Sequence, residues 1–345
     1  MGMTNPSPQF AATPSAHAPT RDGVLRAAAK VSALVPHTPL FSLELPDGGP
    51  NGGMVWCKAE CLQPMGAFKI RGAWHRMTDL TDEDRARGVV AVSSGNHAQG
   101  VAWAARRLGI AATIVMPSDA PQVKLSETLR LGAEVVLYER LTQSRDAIAA
   151  QLCAQRGAVL VHAYGDPWVI EGQGSTGIEL ASQMECFAGG PPTRIVAPCG
   201  GGGLVSGLAL ACPEAKIVPV EPEGWDDVTR SLAGGTIVGV GSDPPRTACD
   251  ALQTMATYPI NFAVMTSHGM QGIVVSEKEV RAAQAYAFAK LRLVVEPGGA
   301  AALAAVLAGK VPADGRTAVI LSGGNVDPAA FAKVIADSQS VAIDN

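Results

Sequence analysis

Lys69 sits in Gly66-Ala67-Phe68-Lys69-Ile70-Arg71-Gly72-Ala73, between a phenylalanine and an isoleucine, where a helical pattern begins. A lysine held among apolar neighbours has a lowered pKa and can act as an amine nucleophile or form a Schiff base. The same residue could equally snorkel from a helix start, with its stem on apolar surface and its ammonium in water. Its company decides between the two. Pro198-Cys199-Gly200-Gly201-Gly202-Gly203-Leu204 follows an apolar run and opens a helix. That is the arrangement of a phosphate cradle, with backbone N–H groups aimed at one point beside the positive end of a helix. A dinucleotide loop is the alternative, but its G-x-G-x-x-G spacing and following ribose acid are not convincingly present, and no G-x-x-x-x-G-K-[ST] occurs.

Three further stretches carry polar groups at strand ends. Ser93-Ser94-Gly95-Asn96-His97 suits a carboxylate, although Ser or Asn there would also serve as a helix cap. Leu321-Ser322-Gly323-Gly324-Asn325 puts a hydroxyl at the carboxyl end of the last strand, where α/β sheets bind ligands, or makes one more tight turn. Glu221-Pro222-Glu223-Gly224-Trp225-Asp226-Asp227 could hold a hard cation through oxygen ligands; composition alone favours a solvated acidic turn. A lysine, a phosphate cradle, a carboxylate cradle and a lone hydroxyl together suggest pyridoxal phosphate. Lys69 would form the Schiff base, Gly200 to Gly203 would hold the phosphate, and the loop at 93–97 would bind an amino acid's carboxylate.

The elements that must position these groups alternate. Apolar strand patterns at 54–60, 89–93, 111–116, 134–138, 158–162, 194–197, 216–221 and 318–321 are separated by helical patterns. These helices fall at 21–35, from Lys69 to about 80, and at 95–108, 121–131, 141–155, 203–212, 276–291 and 297–307, with a glycine-interrupted one at 168–184. Residues 47–53 read as a glycine-rich turn, and 225–271 as loop-rich. Strands apolar on both faces and alternating with helices mean parallel sheets covered on both sides. There are too many for one simple sheet, so two α/β domains with a cleft between them are expected.

Composition narrows the functional classes. The 345 residues are 47% hydrophobic with a net charge of -4, which leaves no basic footprint for nucleic acid. No apolar run reaches the roughly 18 residues of a membrane span, and no secretory signal pattern opens the chain. Seven scattered cysteines fit a reducing cytoplasm. Cys57 and Cys61 lack a second pair at zinc-ligand spacing and read as buried thiols.

The chain resembles the fold type II pyridoxal-phosphate enzymes, in the threonine/serine dehydratase and serine racemase branch, over about residues 30 to 335. The resemblance rests on G-A-F-K-I-R-G-A, S-S-G-N-H-A-Q-G, G-G-G-G-L, E-P-G-G-A and L-S-G-G-N-V-D in the family's order. It implies a tryptophan synthase β-like α/β fold with the active site in the interdomain cleft. Residues 21–78 and 161–335 would form the large cofactor-binding domain and 79–160 a small mobile domain, with a disordered tail at 1–20 and a tail at 336–345.

By that resemblance Lys69 is the cofactor lysine and catalytic base, Phe68 lines the cofactor ring and Asn96 bonds its hydroxyl. Gly200, Gly201, Gly202, Gly203 and Leu204 hold the phosphate, Ser322 faces the ring nitrogen and Glu296 lies near the ring. Ser93, Ser94, Gly95, Asn96 and His97 take the substrate, with Arg145 close to the substrate end; Tyr164 also falls among the substrate contacts, but differs from the residues expected in those branches. Ser94 matches a racemase serine that could return a proton from the opposite face. Glu221, Trp225 and Asp227 match a magnesium site (calcium or manganese being alternatives), where the middle position gives only a carbonyl.

The implied activity is dehydration of a β-hydroxy L-amino acid, of threonine or serine type, to a 2-oxo acid and ammonia by a cytoplasmic homodimer. A serine racemase, a 3-hydroxyaspartate or phenylserine dehydratase and, further off, a cysteine synthase-like β-replacement enzyme are the alternatives. The last usually carries Ser-x-Lys-Asp-Arg at its lysine, where this chain has Phe-Lys-Ile-Arg-Gly.

Overall fold

A computed structural model describes residues 17–45, 53–93, 95–120, 122–139, 142–241 and 243–343. In chain order the elements begin with α1 (Arg21–Ser32), β1 (Leu40–Glu44), β2 (Met54–Lys58), α2 (Lys69–Thr78) and α3 (Asp82–Arg87). Four short parallel strands follow with their helices: β3 (Val89–Val92), α4 (Asn96–Leu108), β4 (Ala112–Pro117), α5 (Gln122–Arg130), β5 (Glu134–Tyr138), α6 (Arg145–Arg156) and β6 (Val159–Leu160). The chain continues through α7 (Pro167–Phe187), β7 (Arg194–Pro198), α8 (Gly203–Ala211), β8 (Lys216–Pro222), α9 (Asp227–Gly234) and α10 (Pro259–Ser267). It closes with β9 (Ile273–Val275), α11 (Glu277–Leu291), α12 (Pro297–Leu307), β10 (Thr317–Ile320) and α13 (Pro328–Ile343).

Among the described residues the strands form two sheets. One has the order β1-β2-β10-β7-β8-β9, the other β5-β4-β3-β6. Only β1 runs antiparallel to its neighbour. β4 and β10 are buried along their whole length, and β8 at every position after Lys216. This is why these strands read as unbroken apolar runs, since helices cover both faces. The larger sheet packs on α11 and α12 through an alanine-rich layer that includes Ala300 to Ala305.

Several local expectations are corrected. The helix at 167–187 is continuous, although its sequence reads as interrupted. Its glycines are contact points: a Cβ on Gly172 would lie 2.5 Å from Gly72 Cα in α2, and one on Gly207 in α8 would lie 2.5 Å from Gly174 N. Three helices thus approach backbone to backbone, and packing outweighs the low helix propensity of glycine. The stretch at 225–271 holds two helices, α9 and α10, and the exposed charged run at 82–87 forms α3. The C-terminal tail expected from 336 is helical through Ile343. Residues 1–16 and, except for Gly53, the turn expected at 47–53 lie outside the described residues, but 17–20 are held: the Thr20 hydroxyl caps α1 at Gly23 N (3.0 Å), and the Thr20 N–H donates to Glu171 Oε1 at 3.0 Å.

Candidate active site

Lys69 is the first residue of α2, and no side chain caps that helix start. The end of β10 holds it instead. Phe68 N donates to Ser322 O at 3.1 Å, and Ala67 bridges Gly323. Two residues on, the buried Arg71 guanidinium donates to both oxygens of Glu60 (2.7 and 2.8 Å) and to Glu179 Oε2 (2.7 Å). Lys58 completes this buried network on Glu179. The helix start is thus fixed by a strand end and a charge network in place of a cap. Lys69 Nζ donates to Ala163 O at 2.7 Å, and burial pushes its pKa down to about 8. An amine tuned this way is available as a base near neutral pH.

The other groups converge on it. Asn96 opens α4, donates to Glu296 Oε1 at 2.5 Å and accepts from Asn325 Nδ2 at 2.8 Å. Glu296 precedes α12, and its backbone N–H donates to Gly323 O at 3.0 Å. Burial raises its carboxyl to about 7 against the opposing pull of Lys124, and its Oε2 has no hydrogen-bond partner. The glycine loop runs between β7 and α8, with Gly202 at φ +93°, a left-handed backbone that favours glycine.

Phe68, Lys69, Ser93, Gly95, Asn96, His97, Arg145, Tyr164, Gly200, Gly201, Gly202, Gly203, Leu204, Glu296 and Ser322 all line one cavity of about 140 Å³. Ser94 lies outside the described residues. Glu221, Trp225 and Asp227 are not part of this lining.

The same cavity takes in residues the sequence reading missed, among them Lys124, Asp146, His162, Asp250 and Thr254. His162 offered a signal, a polar residue at the carboxyl end of a strand pattern. Lys124 and Asp250 offered none, because they meet only when α5 and the 250–252 turn pack together as an ion pair. The hydrogen bonds set the two histidine tautomers. His97 Nε2–H donates to Val161 O (2.8 Å), leaving Nδ1 bare, while His162 Nδ1 accepts from Gly165 N (2.8 Å), leaving the proton on Nε2. Burial is the main cause holding both rings down, to about 3, so both are neutral.

A lysine, a glycine loop and a strand-end serine around one cavity match the family model described as pyridoxal-phosphate dependent enzyme, which fits residues 31–323. The chain belongs to that family. This pyridoxal-phosphate enzyme is 37% identical to the L-threo-3-hydroxyaspartate ammonia-lyase of Saccharomyces cerevisiae, covering 93% of this chain and 98% of the relative. It is 38% identical to the L-threonine ammonia-lyase of Thermotoga maritima, covering 80% of this chain and 68% of the relative. Its fold matches the solved structure of maize serine racemase with a TM-score of 0.82 at 32% identity, over 94% of this chain and 99% of that one.

The residues present fit the cofactor. The buried amine is the required nucleophile, and the four glycines add no side chain of their own to the cavity they line. Glu296 Oε2 and His97 Nδ1 are buried polar atoms with no hydrogen-bond partner among the described residues, Lys124 Nζ lying 4.0 Å from Glu296 Oε2. The acidic turn is a partial fit for a cation. Glu221 Oε1 accepts from Val228 N (3.0 Å), and Oε2 from Thr229 N (2.7 Å) and Oγ1 (2.6 Å). Burial raises the Glu221 carboxyl to about 8 and Asp227 to about 7, and Asp227 Oδ2 is unpartnered. Trp225 is anchored by its indole N–H to Pro245 O at 2.8 Å. No group of three His, Cys, Asp or Glu arranged to hold a metal is found among the described residues.

Proposed function

We propose that this enzyme is an ammonia-lyase for a β-hydroxy L-amino acid with an acidic side chain, of the 3-hydroxyaspartate type, yielding a 2-oxo acid and ammonia. The observation that carries the reading is Arg145. It opens α6 and lines the same cavity as Lys69, with one acidic neighbour, Asp146, at 3.5 Å. A guanidinium at that end of the site suits a second carboxylate better than the methyl group of threonine. The name of the yeast relative supports the same substrate class.

Lys69, the glycine loop, Asn96 and Ser322 would hold the cofactor, which when bound supplies an electron sink for the pair left at Cα. The chain's own groups do the rest. The α-carboxylate is taken at the N-terminus of α4, where Ser93 and Gly95 form the turn. Lys69 Nζ, held near the neutral range, removes the Cα proton. Ser322 is a hydroxyl and remains neutral, so it would give the ring nitrogen only a weak partner, which would favour loss of the β-hydroxyl; that group would leave as water with the proton that Lys69 took from Cα. Walls at Phe68 and Leu204 would keep water from the reacting face.

With the holoenzyme and a panel of 3-hydroxyaspartate, threonine and serine, 2-oxo acid release should be highest on 3-hydroxyaspartate. Arg145→Ala should lower kcat/KM on that substrate by roughly 10–100-fold, the worth of a hydrogen-bonded charge, with serine changed little. Equal losses on all three substrates, or D-isomer formation without oxo acid release, would overturn the reading.

The reading extends to the acidic turn. Asp227 Oδ2, the Glu221 carboxylate and the Trp225 carbonyl would be the hard oxygen donors for magnesium or a similar ion, with Glu221 giving up hydrogen bonds to Val228 and Thr229. A chelator should lower the thermal midpoint and magnesium should restore it; an unchanged midpoint would leave a hydrogen-bonded carboxylate turn. It also includes a cytoplasmic homodimer. An apolar groove of about 530 Å³ beside Val123, Val326, Phe331 and Val334 is a surface a second copy would cover, and solution mass would report it.

A further inference from the structure

Tyr164 was expected at the substrate; it lines the same cavity, and its ring also packs against the glycine loop. A Cβ on Gly201 would overlap the ring, with Cγ, Cδ2 and Cε2 as its nearest atoms. One on Gly203 would lie 3.0 Å from Tyr164 Cβ and 3.1 Å from its Cα. Gly201 and Gly203 are therefore glycines partly because Tyr164 occupies the space their side chains would need. The tyrosine is pinned in turn: its hydroxyl donates to Ala256 O at 3.3 Å, and its carbonyl accepts from Asn261 Nδ2 at 3.0 Å. Tyr258 and His162 meet its ring edge-on, with centroids at 5.4 and 4.6 Å. The segment carrying Ala256, Tyr258 and Asn261 also grips the loop directly, since the buried Thr257 Oγ1 donates to Gly201 O at 3.0 Å.

Four successive glycines have more backbone freedom than any other sequence, and an anion held by their N–H groups would have to pay for ordering them. A rigid aromatic ring packed on the loop removes that cost before the ligand arrives. We propose that Tyr164 is a positioning residue for the phosphate cradle. Its ring fills the space left open by Gly201 and fixes the path of residues 200–203, so that its effect falls on the cofactor's phosphate and not on its ring. The inference rests on the reading that this loop holds the phosphate.

The test compares two ligands on the cofactor-depleted full-length chain: pyridoxal phosphate and pyridoxal, each titrated by the visible absorbance of the bound cofactor. The wild-type chain binds the phosphorylated form more tightly. Tyr164→Ala should weaken pyridoxal phosphate about tenfold, the loss of one well-aimed bond to a charged group, with pyridoxal unchanged. Tyr164→Phe keeps the ring and loses only the long hydroxyl bond to Ala256 O, so it should keep most of the preference for the phosphorylated form. Should the alanine variant not fold, Tyr164→Leu keeps apolar volume without the flat face and is expected to show the same phosphate-specific loss. Unchanged affinity for pyridoxal phosphate, or equal weakening of both ligands, overturns the inference. A wild-type chain that does not prefer the phosphorylated form would instead overturn the cradle reading beneath it.

Discussion

Replacing Lys69 by alanine should abolish 2-oxo acid release, to below about one-thousandth of the wild-type rate, because the variant loses its nucleophile and its base in one atom. Lys69 Nζ sits on Ala163 O, and no other lysine amine lines that cavity except Lys124, which is committed to Asp250. The same variant should fail a covalent test. After borohydride, the wild-type chain carries the cofactor's added mass on the peptide containing Lys69, and the variant does not. Turnover within tenfold of wild type, or mass added at Lys124, would remove Lys69 from the role.

Arg71→Met should be the most destabilising single change in this neighbourhood. Glu60 and Arg71 are both fully buried, and Lys58 and Glu179 extend the network. Burial alone would raise the Glu60 carboxyl, but the charge and hydrogen bonds of Arg71 together hold it below its ordinary value. Remove Arg71 and a desolvated carboxylate keeps the hydrogen bonds of Thr38 and Gln63 and the more distant charge of Lys58. Breaking a buried pair from one side typically costs about 3–5 kcal/mol. The expected result is a clear fall in the thermal or denaturant midpoint, with reduced cofactor content because Arg71 anchors the helix that begins at Lys69. Arg71→Lys should recover only part, since a point charge cannot hold Glu60 by two bonds and reach Glu179 as well. A midpoint unchanged in Arg71→Met would mean the network contributes little, as when a buried ion pair is replaced without penalty.

Much of the site was legible in the sequence because its chemistry lies in short runs at element ends. Phe68-Lys69, Ser93 with Asn96-His97, the four glycines and Ser322 each mark the junction of a strand or loop with a helix, and a junction leaves a local imprint in glycine, proline and small polar residues. The buried parallel strands were legible for a similar reason: a strand covered on both faces needs an unbroken apolar run whatever lies around it.

What the sequence left open depends on partners far apart in the chain. The glycines of α7 looked like helix breaks, and only the approach of α2 and α8 shows them as contacts. Tyr164 was read as a substrate contact, and only the tertiary structure shows its ring packed as well on Gly201, 37 positions later in the chain. Lys124 and Asp250 carry no motif and become a pair only through packing. The sequence by itself determined the class of enzyme, because a lysine, a phosphate cradle and a strand-end hydroxyl are local patterns. Only the tertiary structure decided which residues support them, because burial, tautomer and contact are properties of the surroundings that a residue's neighbours in sequence do not set.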